Sequence, residues 1–531
     1  MKNPPNCMLY LLCILAFTST VSFGTQDPAG PLRPADLEAK YPGRQAFAAN
    51  VSGTPSYSTQ YAFKNLMRQA RPWEISPGGV REFVESVDDR GNLTALPEGE
   101  QVYSVISQEV WHPVGTYTLE WDGGGHLEPV GEGIVSITKE GPNRYAVEVV
   151  DGTGIILMVR EFDPENPFRN IRFWLPDVEQ NEDFPFNPEF VDFLEPFGTL
   201  RYMDLMGTND SLIEKWEDRP QAQDQFFHME ESEGVPLEWL CQLANHLNAN
   251  PWLCMPHGAD DAYVRQTAEM VKRYLNPDLI IYLELSNEVW NGNFEQTHYF
   301  RRIGLEELGV PREEMPHRAA YAKRAAEMFA IWEEVFGGLD RLQRVAGMQV
   351  STIETAIRTL GYKDYHESFD LLAIAPYFAY EPYETAMFHR RGDVTVDEVL
   401  EGLKGVIDYH GSRRVGGHHA LAQQYGMGLI AYEAGQHLLD WQNRRAPEPT
   451  ELTATFIAAN RDPRMKDLYL QYFDMFFRNG GEMIGIFSTV GHYSKWGSWG
   501  IKEYLSQPDA EAPKYQAVLE AVKAPVTDSN P

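Results

Sequence analysis

The sequence predicts an α/β fold, a (β/α)8 TIM barrel that carries a small inserted or appended antiparallel β domain resembling a sandwich. Two observations lead to it. Eight short apolar segments alternate with helical segments, which is the pattern of a barrel of parallel strands. Between residues 116 and 174 the rhythm changes to alternating apolar and polar residues divided by turn signals, which is typical of antiparallel strands. A chain of 531 residues has room for both units.

Ala46–Val51 is predicted to be the first barrel strand and is followed by a segment predicted to be helical, Gln60–Ala70. The other seven strands follow Pro176. They are predicted at Thr199–Leu205, Pro251–Met255, Ile280–Leu285, Arg344–Val350, Leu371–Tyr377, Gly428–Glu433 and Glu482–Phe487. Without the first segment the barrel would have only seven strands.

The alternating stretch predicts a β-rich domain over residues 75–177. Tyr117, Leu119 and Trp121 fall on one face of its first strand. The strand count favours an insertion between the first barrel unit, residues 40–74, and the remainder of the barrel, residues 178–525. The alternative is a separate N-terminal β domain, which would leave the barrel one strand short.

The first 24 residues have the features of a cleaved signal peptide. Lys2 supplies a positive charge, Met8–Phe17 an apolar core, and Ser22-Phe23-Gly24 a cleavage site with small outer residues. We therefore expect a secreted or periplasmic protein whose mature chain has no membrane span, the alternative being a retained signal anchor.

Four cysteines are too few for a disulfide scaffold. Cys7 and Cys13 lie inside the predicted signal peptide. Cys241 and Cys254 remain in apolar surroundings, where buried free thiols are common. The sequence leaves open whether these two pair.

Composition and motifs exclude several functions. The formal net charge is −32 and the basic residues are scattered, so nucleic acid is not an expected partner. No Gly-rich phosphate loop or Gly-x-Ser-x-Gly elbow stands in a useful context. No histidine pair has zinc-ligand spacing with a third partner in view. We expect no metal and no cofactor.

The active site of such a barrel lies at the carboxyl ends of the strands. Asn287 and Glu288 end the fourth predicted strand and Glu433 ends the seventh. These strands face each other across the mouth, so two carboxyl groups can approach as acid and nucleophile, the pair that retaining glycoside hydrolysis requires. Glu288 as a simple helix cap is the alternative, but it leaves Glu433 unexplained.

Asn-Glu on the fourth strand with Glu on the seventh resembles the clan A glycoside hydrolases, across the barrel and not across the β domain. The resemblance implies Glu288 as acid/base, Glu433 as nucleophile and Asn287 as a ligand of the sugar 2-hydroxyl. It also implies site roles for Arg201, His257 and Tyr377 and an aromatic platform at Trp496 or Trp499. Arg201 could instead pair with Asp204, and His257 could be structural.

Three further residues complete the predicted substrate site at the barrel rim: Trp290, His437 and His492. Trp290 could equally be rim packing. The segment Phe378–Val394 is expected to wall one side of the cleft. Together these features predict an exported retaining glycoside hydrolase that cleaves O-glycosidic bonds of a poly- or oligosaccharide. The alternatives are a noncatalytic carbohydrate-binding protein on a degenerate barrel and a transglycosylase.

Overall fold

Eight parallel strands close into a barrel, which confirms the predicted fold class. Their residues are almost all buried, because one face packs into the barrel and the other against helices. In order around the barrel the strands are β1 (Phe47–Asn50), β11 (Thr199–Arg201), β12 (Asn250–Met255), β13 (Ile281–Leu285), β14 (Leu342–Met348), β15 (Leu371–Ile374), β16 (Gly428–Ala434) and β17 (Met483–Ile486).

The computed structural model describes residues 32–108, 111–150, 152, 154–227, 234–379 and 394–525. The predicted signal peptide with Cys7 and Cys13, and most of the predicted cleft wall, lie outside these residues. Among the described residues, no helix combines the length and apolar character needed to cross a membrane. Cys241 and Cys254 are buried free thiols.

The segment around Ala46–Val51 is the strand that closes the barrel. Ala49 of β1 stands opposite Leu200 of β11 on one side and Ile486 of β17 on the other. The strand count therefore predicted the first barrel strand correctly.

Helices cover the outside of the barrel. In chain order they are α1 (Pro34–Lys40), α2 (Pro188–Leu194), α3 (Leu237–Leu247), α4 (Asp261–Tyr274), α5 (Glu295–Glu306), α6 (Pro316–Phe336), α7 (Ile353–Leu360), α8 (Val396–His410), α9 (Gly416–Gln424), α10 (Glu451–Arg461), α11 (Arg464–Arg478) and α12 (Pro513–Ala521).

Two antiparallel sheets lie between β1 and β11 in the chain. One has four strands, in the order β10 (Arg169–Trp174), β5 (Gly115–Asp122), β8 (Arg144–Val149) and β7 (Ile134–Gly141). The other has five, in the order β3 (Glu82–Phe83), β2 (Glu74–Ile75), β4 (Tyr103–Ser107), β9 (Ile155–Glu161) and β6 (His126–Val130). Their inward residues form one core, which includes Tyr117, Leu119 and Trp121. The division at residues 75–177 as a separate domain stays a prediction.

Gln60–Ala70 is not the predicted helix. Its one helical piece is a short 3-10 turn, Leu66–Arg68, and before this turn Phe63 and Asn65 form isolated β-bridges. Every one of its residues is buried, so the segment has no polar face to offer solvent. The backbone of Lys64 instead bonds to the carbonyl of Pro185 and the N–H of Leu175. Tertiary contacts therefore override the local helical pattern, and the segment becomes a buried connection between the two units.

Phe63 is the anchor of this connection, and its truncation tests it. The ring is fully buried and its centroid lies 5.7, 5.9 and 5.8 Å from those of Phe186, Phe227 and Trp239. We expect Phe63→Ala to lower the free energy of unfolding by about 3–5 kcal/mol through the lost burial and the cavity left behind. Calorimetric melting would measure it, with the exposed Val114→Ala as control. Equal melting temperatures for the two variants would show that this junction does not hold the fold.

Candidate active site

The carboxyl ends of four barrel strands bring five polar side chains together. Asn50 ends β1 and Arg201 ends β11. Asn287 and Glu288 follow β13, and Glu433 lies near the end of β16. These strands belong to one closed parallel sheet, so their ends meet at one mouth.

Arg201 is the centre of this group. Its guanidinium is fully buried, and its Nη1 donates to Asn50 Oδ1 at 2.8 Å and to Glu433 Oε1 at 3.1 Å. Its Nη2 donates to Glu284 Oε2 and to Asn287 Oδ1, both at 2.9 Å. The guanidinium thus fixes side chains from β1, β13 and β16 in one arrangement. Asp204, the other partner considered from the sequence, is not among these acceptors.

Glu433 owes its position to an irregularity in β16. Ala431 pairs with Ile484 of β17 and Ala434 with Ile486, so three steps on β16 match two on β17. Such a bulge re-aims side chains, and the consecutive Tyr432 and Glu433 both reach polar partners at the mouth. Glu433 Oε2 accepts a hydrogen bond from the Tyr377 hydroxyl at 2.9 Å.

Glu288 stands in a locally strained turn after β13. Both Ser286 and Glu288 adopt positive φ angles, 60° and 41°, which is uncommon for residues other than glycine and is typical of functional turns. The carboxyl group accepts from the Tyr432 hydroxyl at 2.9 Å and from Asn291 Nδ2 at 2.9 Å. Neither donor is a cation.

The two carboxyl groups differ in how firmly they hold a proton. Burial, together with the negative charge of Glu433, raises the pKa of Glu288 to about 8. Burial also raises the pKa of Glu433, but Arg201 and the Tyr377 hydroxyl oppose that rise. Two nearby carboxylates resist double ionisation. A single shared proton is therefore held by Glu288.

Asn287 is fixed by amide groups behind it. Its Nδ2 donates to Asn209 Oδ1 at 3.0 Å. Gln296 Nε2 donates both to Asn209 Oδ1 at 2.8 Å and to the Asn287 carbonyl at 2.9 Å. Because Arg201 and Asn209 hold both ends of the amide, its orientation is determined.

Aromatic rings form a wall beside Glu433. The Tyr377 ring lies 6.0 Å from Trp499 and 5.3 Å from His437, centroid to centroid. The His437 ring packs edge-on to Trp499 at 4.8 Å and nearly parallel to Trp441 at 5.6 Å. Burial lowers the pKa of His437 to about 4, so this histidine is neutral. The wall is apolar, as a face for stacking a sugar ring would be.

A cavity of about 760 Å³ opens on the side of the mouth formed by β1 and β17. Asp204, Phe487 and Trp499 lie on its lining. Phe487 and Trp499 both contact Tyr377, which donates to Glu433. The cavity therefore adjoins the catalytic candidates.

The remaining predicted residues lie at different distances from this centre. His492 and Trp496 line the cavity. Trp499 contacts Tyr377, so of the two candidate platforms it is nearer Glu433. His257 packs edge-on against Tyr299 at 5.1 Å, and burial lowers its pKa. Trp290 is half-buried. Contact of His257 or Trp290 with a substrate stays a prediction.

Sequence reasoning missed Asn50, Glu284 and Tyr432. Glu284 lies within β13 and is buried, where it accepts from Arg201 and from Trp252 Nε1 at 2.9 Å. An acidic residue inside an otherwise apolar strand was a signal that could have found it. Tyr432 had no such signal, because simple alternation with Glu433 would turn it away from the mouth.

Comparison with known proteins finds solved structures that resemble this chain only weakly. No protein-family model and no curated protein matches it. A family 51 α-L-arabinofuranosidase from Bifidobacterium longum is 11% identical, with a TM-score of 0.40 over 65% of this chain and 68% of that one. A glycoside hydrolase family 5 mannosidase from Rhizomucor miehei is 9% identical, with a TM-score of 0.33 over 63% and 88%. A xylanase from Cellvibrio japonicus is 9% identical, with a TM-score of 0.34 over 87% and 99%. At these values the comparisons carry no argument about the reaction, which has to be drawn from the site itself.

Removing the charge of Glu284 should change the protonation of Glu433 without touching the cavity. The negative charge of Glu284 is one cause of the raised pKa of Glu433. We expect Glu284→Gln to lower that pKa, so the acid limb of the pH–activity profile moves to lower pH. The basic limb, governed by Glu288, should stay in place. Glu482→Gln, at the opposite end of the barrel, is the control. An unmoved acid limb would show that the charge of Glu284 does not act on the site.

The raised pKa of Glu288 also predicts a pH-dependent stability. Between its ordinary pKa of 4.5 and about 8, the folded state keeps a proton that the unfolded state has lost. The stability of the protein therefore falls as the pH rises through this window. Glu288→Gln removes the titrating group, so its melting temperature should exceed that of the wild type by more at pH 8 than at pH 5. A constant difference between the two proteins would contradict the raised pKa.

Proposed function

We propose that this protein is a retaining glycoside hydrolase that cleaves O-glycosidic bonds of a poly- or oligosaccharide. The observation that carries the proposal is a pair of carboxyl groups in unlike surroundings, Glu433 buried and Glu288 half-buried. Glu433 accepts from a cation, Arg201, and from the Tyr377 hydroxyl. Among the described residues Glu288 accepts from two neutral donors, Tyr432 and Asn291, and its pKa is raised to about 8. Pairs of carboxyl groups whose environments separate their pKa values have separate acid and base roles.

In the proposed reaction Glu433 attacks the anomeric carbon. The carboxylate is ionised because Arg201 stabilises its charge. Its Oε1 and Oε2 each accept one hydrogen bond, from Arg201 and Tyr377, which fix the direction in which its lone pairs point. The product of this step is a glycosyl-enzyme ester at Glu433, with departure of the leaving oxygen on the other side of the anomeric centre.

Glu288 is the proposed acid and base. Protonated at neutral pH, it donates its proton to the leaving oxygen as the bond breaks. Formation of the ester removes the negative charge of Glu433, which is one of the causes of the raised pKa of Glu288. Glu288 therefore holds its proton until the first step, and after the ester has formed its pKa falls and it is stable as a carboxylate. That carboxylate activates the water that hydrolyses the ester.

Asn287 is the proposed ligand of the sugar 2-hydroxyl. Both ends of its amide are already held, by Arg201 and Asn209. An immobilised amide next to the acid can bind the hydroxyl without losing further side-chain freedom. Trp499 is the proposed stacking platform, because it contacts Tyr377 beside Glu433.

We further propose export of the enzyme through the N-terminal signal peptide, residues 1–24. The support is the order of charge, apolar core and small residues in the sequence. An extracellular location would suit an enzyme whose substrate is a polymer too large to enter a cell.

Release of reducing sugar from a panel of polysaccharides tests the activity. We expect hydrolysis with retention of the anomeric configuration and a kcat/KM that falls about tenfold per pH unit above the pKa of Glu288. Glu433→Gln should lower the rate by roughly 10⁴-fold or more, whereas Glu333→Gln, the same change on the exposed outer face of α6, should not. An inverted product would exclude the retaining mechanism.

The division of labour is tested with Glu288→Ala. Activated aryl glycosides need no proton on departure, so this variant should lose far less activity on them than on unactivated glycosides. Added azide should restore turnover and give a glycosyl azide of retained configuration. Rescue of a Glu433 variant with retention would instead mean that the two roles are reversed.

A further inference from the structure

The cavity beside Glu433 is built mainly from two loops that supply neither of the proposed catalytic carboxyl groups. One is the loop after β1, which contributes Ser52, Gly53 and Tyr57. The other is the loop after β17, from Phe487 to Gly500. Thr489 ties the loops together, because its Oγ1 donates to Gln60 Oε1 at 2.5 Å and Ser52 N donates to it at 2.9 Å. The cavity is therefore a formed part of the mouth.

Asp204 lies on the lining of the cavity, and no cation among the described residues donates a hydrogen bond to it. Its carboxyl group is half-buried and accepts from the Gly53 backbone. Burial, together with the charge of Glu433, raises its pKa to about 7. Arg201, the nearest cation acting on it, already donates to two carboxylates and two amides. Asp204 is thus a carboxylate with unused acceptor positions that point to a ligand rich in hydroxyl donors.

The charge of the cavity selects between kinds of sugar. None of its described lining residues is Lys or Arg, and Asp204 is the only acidic one. The lining also contains Tyr57 and His492, and the His492 ring packs edge-on against Trp111 of the β unit at 4.7 Å. Within the described lining, a carboxylate or sulfate on a sugar would meet no lysine or arginine and would face Asp204. Like charges in a partly buried site repel strongly.

Two exposed aromatic rings stand at the rim of the same cavity. Tyr57 is 53% exposed and Trp496 is 57% exposed, and both line it. Large aromatic side chains exposed beside a cavity are typical of a binding surface. Their flat faces suit the apolar face of a pyranose ring. A hydroxyl acceptor at the base and aromatic faces at the rim form a complete set of sugar contacts.

We propose that this cavity binds an uncharged sugar unit of the substrate next to the bond that is cleaved, and that Asp204 determines this specificity. Its carboxylate accepts hydrogen bonds from the sugar hydroxyls and excludes uronic acid and sulfated units. The proposal rests on the glycosidase function proposed above and adds the class of substrate to it.

Calorimetric titration of the Glu433→Gln protein at pH 7.5 tests the proposal, since binding is then measured without turnover. The probes are neutral tetrasaccharides of glucose, mannose, xylose and galactose and acidic tetrasaccharides of galacturonic and mannuronic acid. We expect at least one neutral probe to bind, with every acidic probe at least about tenfold weaker. Adding Asp204→Asn should weaken the neutral probe by about tenfold or more, as for hydrogen bonds to a charged group. The matched control is Asp340→Asn, an exposed residue before β14, which should change nothing.

Tyr57→Ala provides a second test that does not disturb the interior. Because the ring is exposed, this variant should keep its melting temperature and still lose affinity for the neutral probe. Acidic probes that bind as tightly as neutral ones, an unchanged affinity in Asp204→Asn, or no binding by any probe would each overturn the proposal. Parallel reducing-sugar assays on the wild type separate it from the proposed reaction. If the wild type hydrolyses a polysaccharide but Asp204→Asn leaves the affinity unchanged, only the proposed sugar-binding role of the cavity is wrong. If neutral probes bind but no polysaccharide is hydrolysed, only the proposed catalysis is wrong.

Discussion

The site depends on one buried positive charge. Arg201 is fully enclosed in the barrel, and an ion taken out of water costs several kcal/mol unless partners surround it. Glu284 and Glu433 supply opposite charge, and Asn50 and Asn287 supply amide oxygens. Because these partners come from three different strands, the guanidinium also sets how the strand ends stand relative to one another. The hydrogen bonds that compensate for the burial of Arg201 therefore also hold Asn287 and Glu433 in place at the mouth.

Glu284 shows how the strands make room for this charge. It lies inside β13, where it is buried and also accepts from Trp252 Nε1. Gly347 of β14 stands beside it, and a Cβ at that position would lie 2.8 Å from Glu284 Oε1. A side chain there would displace the carboxylate that orients Arg201. Gly347 thus acts on the site through Glu284 and Arg201, by leaving room for the Glu284 carboxylate.

The parts that the sequence predicted well are those set by periodic burial. Eight apolar segments were enough to predict the barrel, including β1, and Arg201 at one predicted strand end is hydrogen-bonded to Asn287 and Glu433 at two others. The failures have local causes. Gln60–Ala70 has a helical composition but is buried on all sides between the barrel and the β unit, so long-range pairing decides its form. Tyr432 reaches Glu288 only because β16 contains a bulge, and a bulge results from pairing with β17 that one strand alone does not encode.

The protonation of Glu288 follows from its burial and from the charges that the barrel mouth already contains. Arg201 contributes one positive charge, and Glu284 and Glu433 contribute two negative charges in contact with it, so this group carries an excess negative charge when all three are ionised. Ionising Glu288 and Asp204 as well would add two more in a region of low dielectric. Burial is the larger cause of the pKa values of about 8 for Glu288 and about 7 for Asp204, and the negative charge of Glu433 adds to it in both cases. Glu288 is thus a proton donor at neutral pH because of its surroundings. This property arises because the carboxyl group of Glu288 is buried beside the charge of Glu433, and because Arg201 donates its hydrogen bond to Glu433 and not to Glu288.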